Sequence, residues 1–143
     1  MDERYVYETE YWRIVLAADQ THLGRCLIIL KNHREALADL EKEEIEDFFF
    51  IIKDLERNLK DNFSATMFNW TCLMNNAYKS SPQNPHVHWH LRPRYNKKIK
   101  FSGVVFEDVD FGHHYNSKSN KEVAKKIEKK IIQTMREGSK YRK

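Results

Sequence analysis

The chain has 143 residues, enough for one domain with a core that needs neither disulfides nor a metal staple. Apolar residues make up 41% and aromatics 13%, which excludes a disordered chain. The net charge of +4 favours anionic partners such as nucleotides, nucleic acids or acidic surfaces. Much of the excess is local, with nine Lys/Arg against three Glu from Lys121 to Lys143.

The start, Met1-Asp2-Glu3-Arg4, is charged with no apolar run behind it, so it does not read as a signal peptide. No apolar run approaches a membrane span, and a cytoplasmic protein with no membrane partner is expected. Cys26 and Cys72 each sit in an apolar run, far apart, and are expected as buried free thiols.

Residues 5–17 read as two short strands, Tyr5-Val6-Tyr7 and Trp12 to Leu16. Ala18-Asp19-Gln20-Thr21 reads as a turn. Gly24 then precedes Arg25 to Leu30, whose continuous apolar character predicts a central strand, able to pair with the preceding one as a hairpin. Asp39 to Asn62 is the clearest helix. Ile45, Phe48, Phe49, Ile52, Leu55, Leu59 and Phe63 fall on one stripe, and Glu41, Glu43 and Glu44 crowd the first turn. Phe48-Phe49-Phe50 is expected in the core. Ala65 to Met74 alternates as a strand, and Asn75 to Asn84 is a polar loop. That loop leads into Asn84-Pro85-His86-Val87-His88-Trp89-His90-Leu91-Arg92, expected to pair antiparallel with the strand before it.

On an extended strand His86, His88, His90 and Arg92 share one face, with Val87, Trp89 and Leu91 on the other. Three imidazoles and a guanidinium are too costly to bury unpartnered, so the apolar face packs inward and the histidine face lines a cleft. Pro93 is expected to end the strand or place it at an edge. Phe101 to Phe106 suggests a short strand, and Phe111 to Tyr115 a loop carrying His113 and His114. A final helix is expected from Ser119 to about Met135, capped by Ser119 and Glu122, followed by a frayed basic tail from Gly138.

Three chemistries suit the histidine row. One is covalent catalysis at phosphorus, with His88 as nucleophile because it is flanked on both sides, and with Arg92 and the basic loop disfavouring imidazolium. The second is a metal site, with two histidines at i and i+2 and a third ligand from His113, His114 or an acid; no Asp or Glu lies within ten residues of the row to orient such ligands. The third is three hydrogen-bonded histidines with no shared role.

The run His86 to Leu91, histidine alternating with an apolar residue, resembles the signature of the histidine triad (HIT) superfamily of nucleotide hydrolases and transferases. Gly24 to His33 looks like the strand upstream in that family, with its Lys-x-His segment, and the likeness covers roughly residues 11–95. Trp89, Arg92 to Tyr95 and Phe111 to Tyr115 look like a microbial subgroup often labelled diadenosine polyphosphate hydrolase-like.

The resemblance implies an α+β fold: an antiparallel sheet, one long packed helix and a C-terminal helical extension, in a single domain over 1–143 with the extension from 96. It also implies a homodimer. The reaction would be hydrolysis or transfer at the α-phosphate of a nucleotide conjugate, a diadenosine polyphosphate or nucleoside phosphoramidate, through nucleotidyl-His88. His90 would contact the phosphate or bridging oxygen, and His86 would orient the site. Asn75, eleven residues before His86, matches the polar phosphate-side residue, and Gln83 and Asn84 the phosphate donors of the loop. Asp19 matches the ribose-binding acid or amide if the turn is shorter here. The implied partner is a small nucleotide and not nucleic acid. No metal or cofactor is required, and any Mg2+ arrives with the nucleotide.

Two departures stand out. Arg25 replaces a histidine common after the strand-opening glycine, and Leu30 replaces a proline. Arginine cannot act as a base but binds phosphate as a permanent cation, which is compatible with a more highly charged polyphosphate. His22 and His33 read as surface or structural, and the basic last helix as a solvated face. The rival from another class is a non-catalytic nucleotide- or RNA-binding module on the same fold.

Overall fold

A computed structural model describes residues 2–116 and 118–141. Five strands form one antiparallel sheet: β1 (Tyr5–Glu8), β2 (Trp12–Leu16), β3 (Cys26–Leu30), β4 (Met67–Thr71) and β5 (His88–Arg94). Their order is β1-β2-β3-β5-β4, so the histidine strand is interior and β3 is central, as its apolar run predicts. A long helix, α1 (Lys42–Phe63), covers one face, a short helix, α2 (Asn75–Lys79), follows β4, and α3 (Lys125–Gly138) packs on α1 and β1. Two further strands, β6 (Ile99–Phe101) and β7 (Val104–Phe106), make a separate hairpin. This is the α+β arrangement expected. No helix among the described residues is long and apolar enough to cross a membrane.

Alternation along the strands sorts the side chains. Trp12, Ile14, Leu16, Cys26, Ile28, Leu30, Val87 and Leu91 point into the core beneath α1, where they meet Ile51, Leu55, Leu59 and Phe63. Cys26 is fully buried there as a free thiol pushed up to about 12 by desolvation, and Cys72 is free and half-buried. Gly24, at φ +88°, opens β3 where any Cβ would sit 2.7 Å from Leu59, so the sheet meets α1 closely at this point.

Several elements differ from the sequence reading. The buried stripe of α1 runs through Ile51, Leu55, Leu59 and Phe63, whereas Ile45 and Phe49 are exposed and Ile52 is only half-buried. Of the three phenylalanines, only Phe48 packs inward, against Trp12, Trp70 and Trp89; Phe49 and Phe50 are more than half exposed. The stripe is offset because polar Asp54 and Asn58 are buried too, Asp54 accepting from Tyr7 and Ser139 and Asn58 donating to the Met135 carbonyl.

Pro93 neither ends β5 nor lies at an edge. The Arg94 carbonyl accepts from Thr66 on the β4 side, so the donorless nitrogen of Pro93 faces the other side, beyond the end of β3 at Cys26. The last helix begins at Lys125 and not at Ser119; its N-cap is Ala124, and the Ser119–Glu122 capping box does not form. The polar loop contains α2, too short for a periodicity to show. The expected fraying after Gly138 is absent through Tyr141. Ser139 is buried on Asp54, and Tyr141 stacks on Tyr7. Arg142 and Lys143 lie outside the described residues.

Candidate active site

The face of the sheet turned away from α1 carries the chemistry. On β5 it shows His88, His90, Arg92 and Arg94; opposite them on β4 lie Thr71, Asn69 and Met67. On the other side Ile29 faces His88 and Leu27 faces His90, and one step further Arg25 comes opposite Arg92. His86 precedes the strand, which starts at His88 rather than at His86.

The hydrogen bonds of the histidines fix their tautomers. His86 Nε2 lies 2.6 Å from the Leu30 carbonyl, which can only accept, so Nε2 carries the proton. In the neutral imidazole His86 Nδ1 is then an acceptor, and its 3.1 Å partner, His33 Nδ1, donates to it. The two rings stack with centroids 5.2 Å apart. His88 Nδ1 lies 2.8 Å from the His86 carbonyl and carries its proton there, which leaves Nε2 of His88 with a free lone pair. His90 stands edge-on to His88, ring centroids 5.0 Å apart.

His90 is pushed down to about 4. Burial is the main cause, followed by His88 and the guanidinium groups of Arg25 and Arg92, against an opposing contact from the Leu73 backbone. The cations expected to act on the row therefore act at His90. Its Nδ1, the Thr71 hydroxyl and Arg25 Nε are all buried without a hydrogen-bond partner among the described residues. An unpaired buried polar atom costs about 1–3 kcal/mol, and three grouped on one face point to a polar ligand.

The remaining predicted residues fall in two groups. Arg25 is on the site face, its Nη1 3.1 Å from Asp19. Asp19 also accepts from the backbone and hydroxyl of Thr21 and from the Lys121 backbone, so its carboxylate is engaged within the turn. Asn75, Gln83 and Asn84 are exposed on the stretch between β4 and β5. Gln83 donates to the Tyr78 carbonyl, and none of the three side chains hydrogen-bonds a triad histidine among the described residues.

Sequence reasoning misses two contributions. His33, expected at the surface or as structural, locks His86; the Lys-x-His spacing brings it to the end of β3, where the start of the triad strand passes. The second is an arm over residues 107–116 and 118–121. Arg94, 1% exposed, grips it by a two-point pair with Asp108 at 2.6 and 3.1 Å and by donating to the carbonyls of Asp110 and His113. Burial would raise Asp108, but Arg94 and the Tyr95 N–H hold it below the usual carboxylate range. The arm lays Gly112 to Tyr115 beside Met67 to Thr71 and Arg94, leaving an open cleft of ≈ 700 Å³ that none of the triad histidines lines. Tyr115 lies against Arg92, whose guanidinium carbon is 3.5 Å from the ring centre, and His22 meets the same ring edge-on. His22 is buried and structural, 3.6 Å from Asp108.

Among the described residues no three His, Cys, Asp or Glu side chains converge as a metal site. The arrangement offers one nucleophilic nitrogen, a neutral imidazole beside it, and cations along the same strand face.

The family model described as the HIT domain matches residues 1–97. "Protein hit" of Bacillus subtilis is 31% identical over 99 residues, spanning 69% of this chain and 67% of that protein. The adenosine 5'-monophosphoramidase HNT1 of Saccharomyces cerevisiae is 30% identical over 125 residues, 85% of this chain and 72% of that one. Among solved structures, the diadenosine triphosphate hydrolase of Plasmodium falciparum superposes with a TM-score of 0.61 at 16% identity, covering 94% of this chain and 76% of that one.

Proposed function

The chain belongs to the HIT domain family, and from that premise we propose that it is a nucleotide hydrolase or nucleotidyltransferase working through a covalent nucleotidyl-His88. The observation that carries the reading is the free Nε2 of His88. Its tautomer is set by the His86 carbonyl, and His86 is itself held by Leu30 and His33.

In the first step the Nε2 lone pair attacks the α-phosphorus, an N–P bond forms, and the bond to the leaving group breaks with its electron pair departing on that group. His90, neutral at pH 7, stands next along the strand to engage the phosphate or bridging oxygen. In the second step water, or another acceptor, attacks the same phosphorus, its proton passes to solvent, and the N–P electron pair returns to Nε2. Most of the catalysis lies in holding the phosphoryl oxygens as charge moves. The substrates are nucleotide conjugates of the kinds named for the yeast and Plasmodium relatives, a phosphoramidate or a diadenosine polyphosphate. Asn75, Gln83 and Asn84, on the β4–β5 connection, supply donors to the phosphates, and Asp19 acts through Arg25.

The test is His88→Ala. Turnover should fall by at least about three orders of magnitude, as for loss of a covalent nucleophile, with AMP binding retained within a few-fold. Wild-type protein that binds AMP but turns over neither substrate class would instead make it a binding module.

A further inference from the structure

Arg92 has no hydrogen bond and no ion pair among the described residues, yet it is half-buried on the face that carries His88 and His90. Its guanidinium carbon sits over the Tyr115 ring, 3.5 Å from the ring centre. Across the strands it faces Arg25, whose Nε is buried without a partner among the described residues and whose Nη1 is answered by Asp19. Like charges opposed on neighbouring strands are destabilising, and one carboxylate against two guanidinium groups leaves a positive charge over. Arg94, the next cation along β5, is neutralised by Asp108 and spent on the arm. The uncompensated charge therefore belongs to the Arg25–Arg92 pair. A planar donor stacked on an aromatic ring is already ordered, so little entropy is lost when it grips an anion.

The position along the strand matters. Arg92 lies four residues past His88, about 13 Å along β5 with His90 between them, so its side chain stands beyond the reacting phosphate on the same strand face. The arm that brings Tyr115 follows residue 97, where the family match ends.

We propose that Arg92, stacked on Tyr115 and paired across the strands with Arg25, is a receptor for the phosphates of the leaving group, so that this site selects nucleotides whose leaving group is itself a polyphosphate. The inference rests on the reading of His88 as nucleophile and adds the specificity-determining residues.

Diadenosine tetraphosphate and adenosine phosphoramidate share the adenylyl half and differ in the leaving group, so comparing them isolates the leaving-group site. In Arg92→Met, kcat/KM for the tetraphosphate should fall roughly 10- to 100-fold, as for loss of a charge-assisted hydrogen bond, and by a clearly larger factor than for the phosphoramidate, where only the influence of Arg92 on His90 is lost. Arg92→Lys, which keeps the charge without the planar stack, should recover part of the loss, and Tyr115→Ala should reproduce part of it. Equal losses on both substrates, or no loss on either, would overturn the proposal. Calorimetry with inorganic tripolyphosphate reads the receptor without turnover. Weaker binding in Arg92→Met by a similar factor supports it, and absent or unchanged binding overturns it. Wild-type protein that binds tripolyphosphate through Arg92 but turns over neither nucleotide would sink the reading of His88 and leave the receptor standing.

Discussion

At the scale of single residues, backbone carbonyls decide the chemistry. The Leu30 and His86 carbonyls accept from His86 and His88, and those two bonds expose one nitrogen of His88. The row itself is legible in the sequence, because three histidines at alternate positions can share a strand face. Its tautomers are not, because they depend on carbonyls and on His33 from another strand. The environment of His90 also makes a stability statement. It titrates near 4 in the folded chain against an ordinary value of 6.5, so the unfolded chain binds more protons between those values. Stability should therefore fall as pH drops from 6.5 towards 4. His22, lowered by burial against the pull of Asp108, adds to the same window. The depressed carboxylates Asp19 and Asp108 lose their contribution only lower down, as pH falls through their folded values. Urea midpoints at pH 7 and pH 5 should differ in wild type and differ less in His90→Gln; an equal difference would contradict this.

At the scale of elements, the strands stand nearly where the sequence puts them, since period-2 alternation survives in short segments. The helices are less legible. An apolar count finds one stripe on α1, whereas the buried face includes Asp54 and Asn58, which answer Tyr7, Ser139 and the end of α3. Ser119 and Glu122 have a capping spacing without a helix behind them, so the sequence puts the start of α3 too early. The arm is invisible in the sequence, since nothing local marks Arg94 as its anchor. That anchor should carry weight: both Arg94 and Asp108 are buried, and removing one partner strands the other's charge. Arg94→Met should lower the unfolding free energy by about 3–5 kcal/mol in urea, and Arg94→Met with Asp108→Asn together should cost less than the sum. Additive losses would show that the pair does not act as a unit.

At the scale of the whole molecule, the sheet ends at β4, whose outer edge is unpaired among the described residues, and α1 leaves Ile45, Phe49 and Phe50 more than half exposed. An open strand edge and exposed aromatics favour self-association, and we expect a homodimer closed over these surfaces. Sedimentation equilibrium should give a dimer mass for wild type and a shift towards monomer for Phe50→Glu; a monomer in wild type at micromolar concentration would contradict the expectation. The contacts that orient His88, the proposed nucleophile, are made within one chain whatever that outcome.

The measurement that tests the central claim most directly is intact-protein mass after a rapid, acid-free quench with diadenosine tetraphosphate. The account predicts one added adenylyl group on wild-type protein during turnover and none on His88→Ala. Turnover with no adduct at any quench time, or an adduct that persists in His88→Ala, would contradict it.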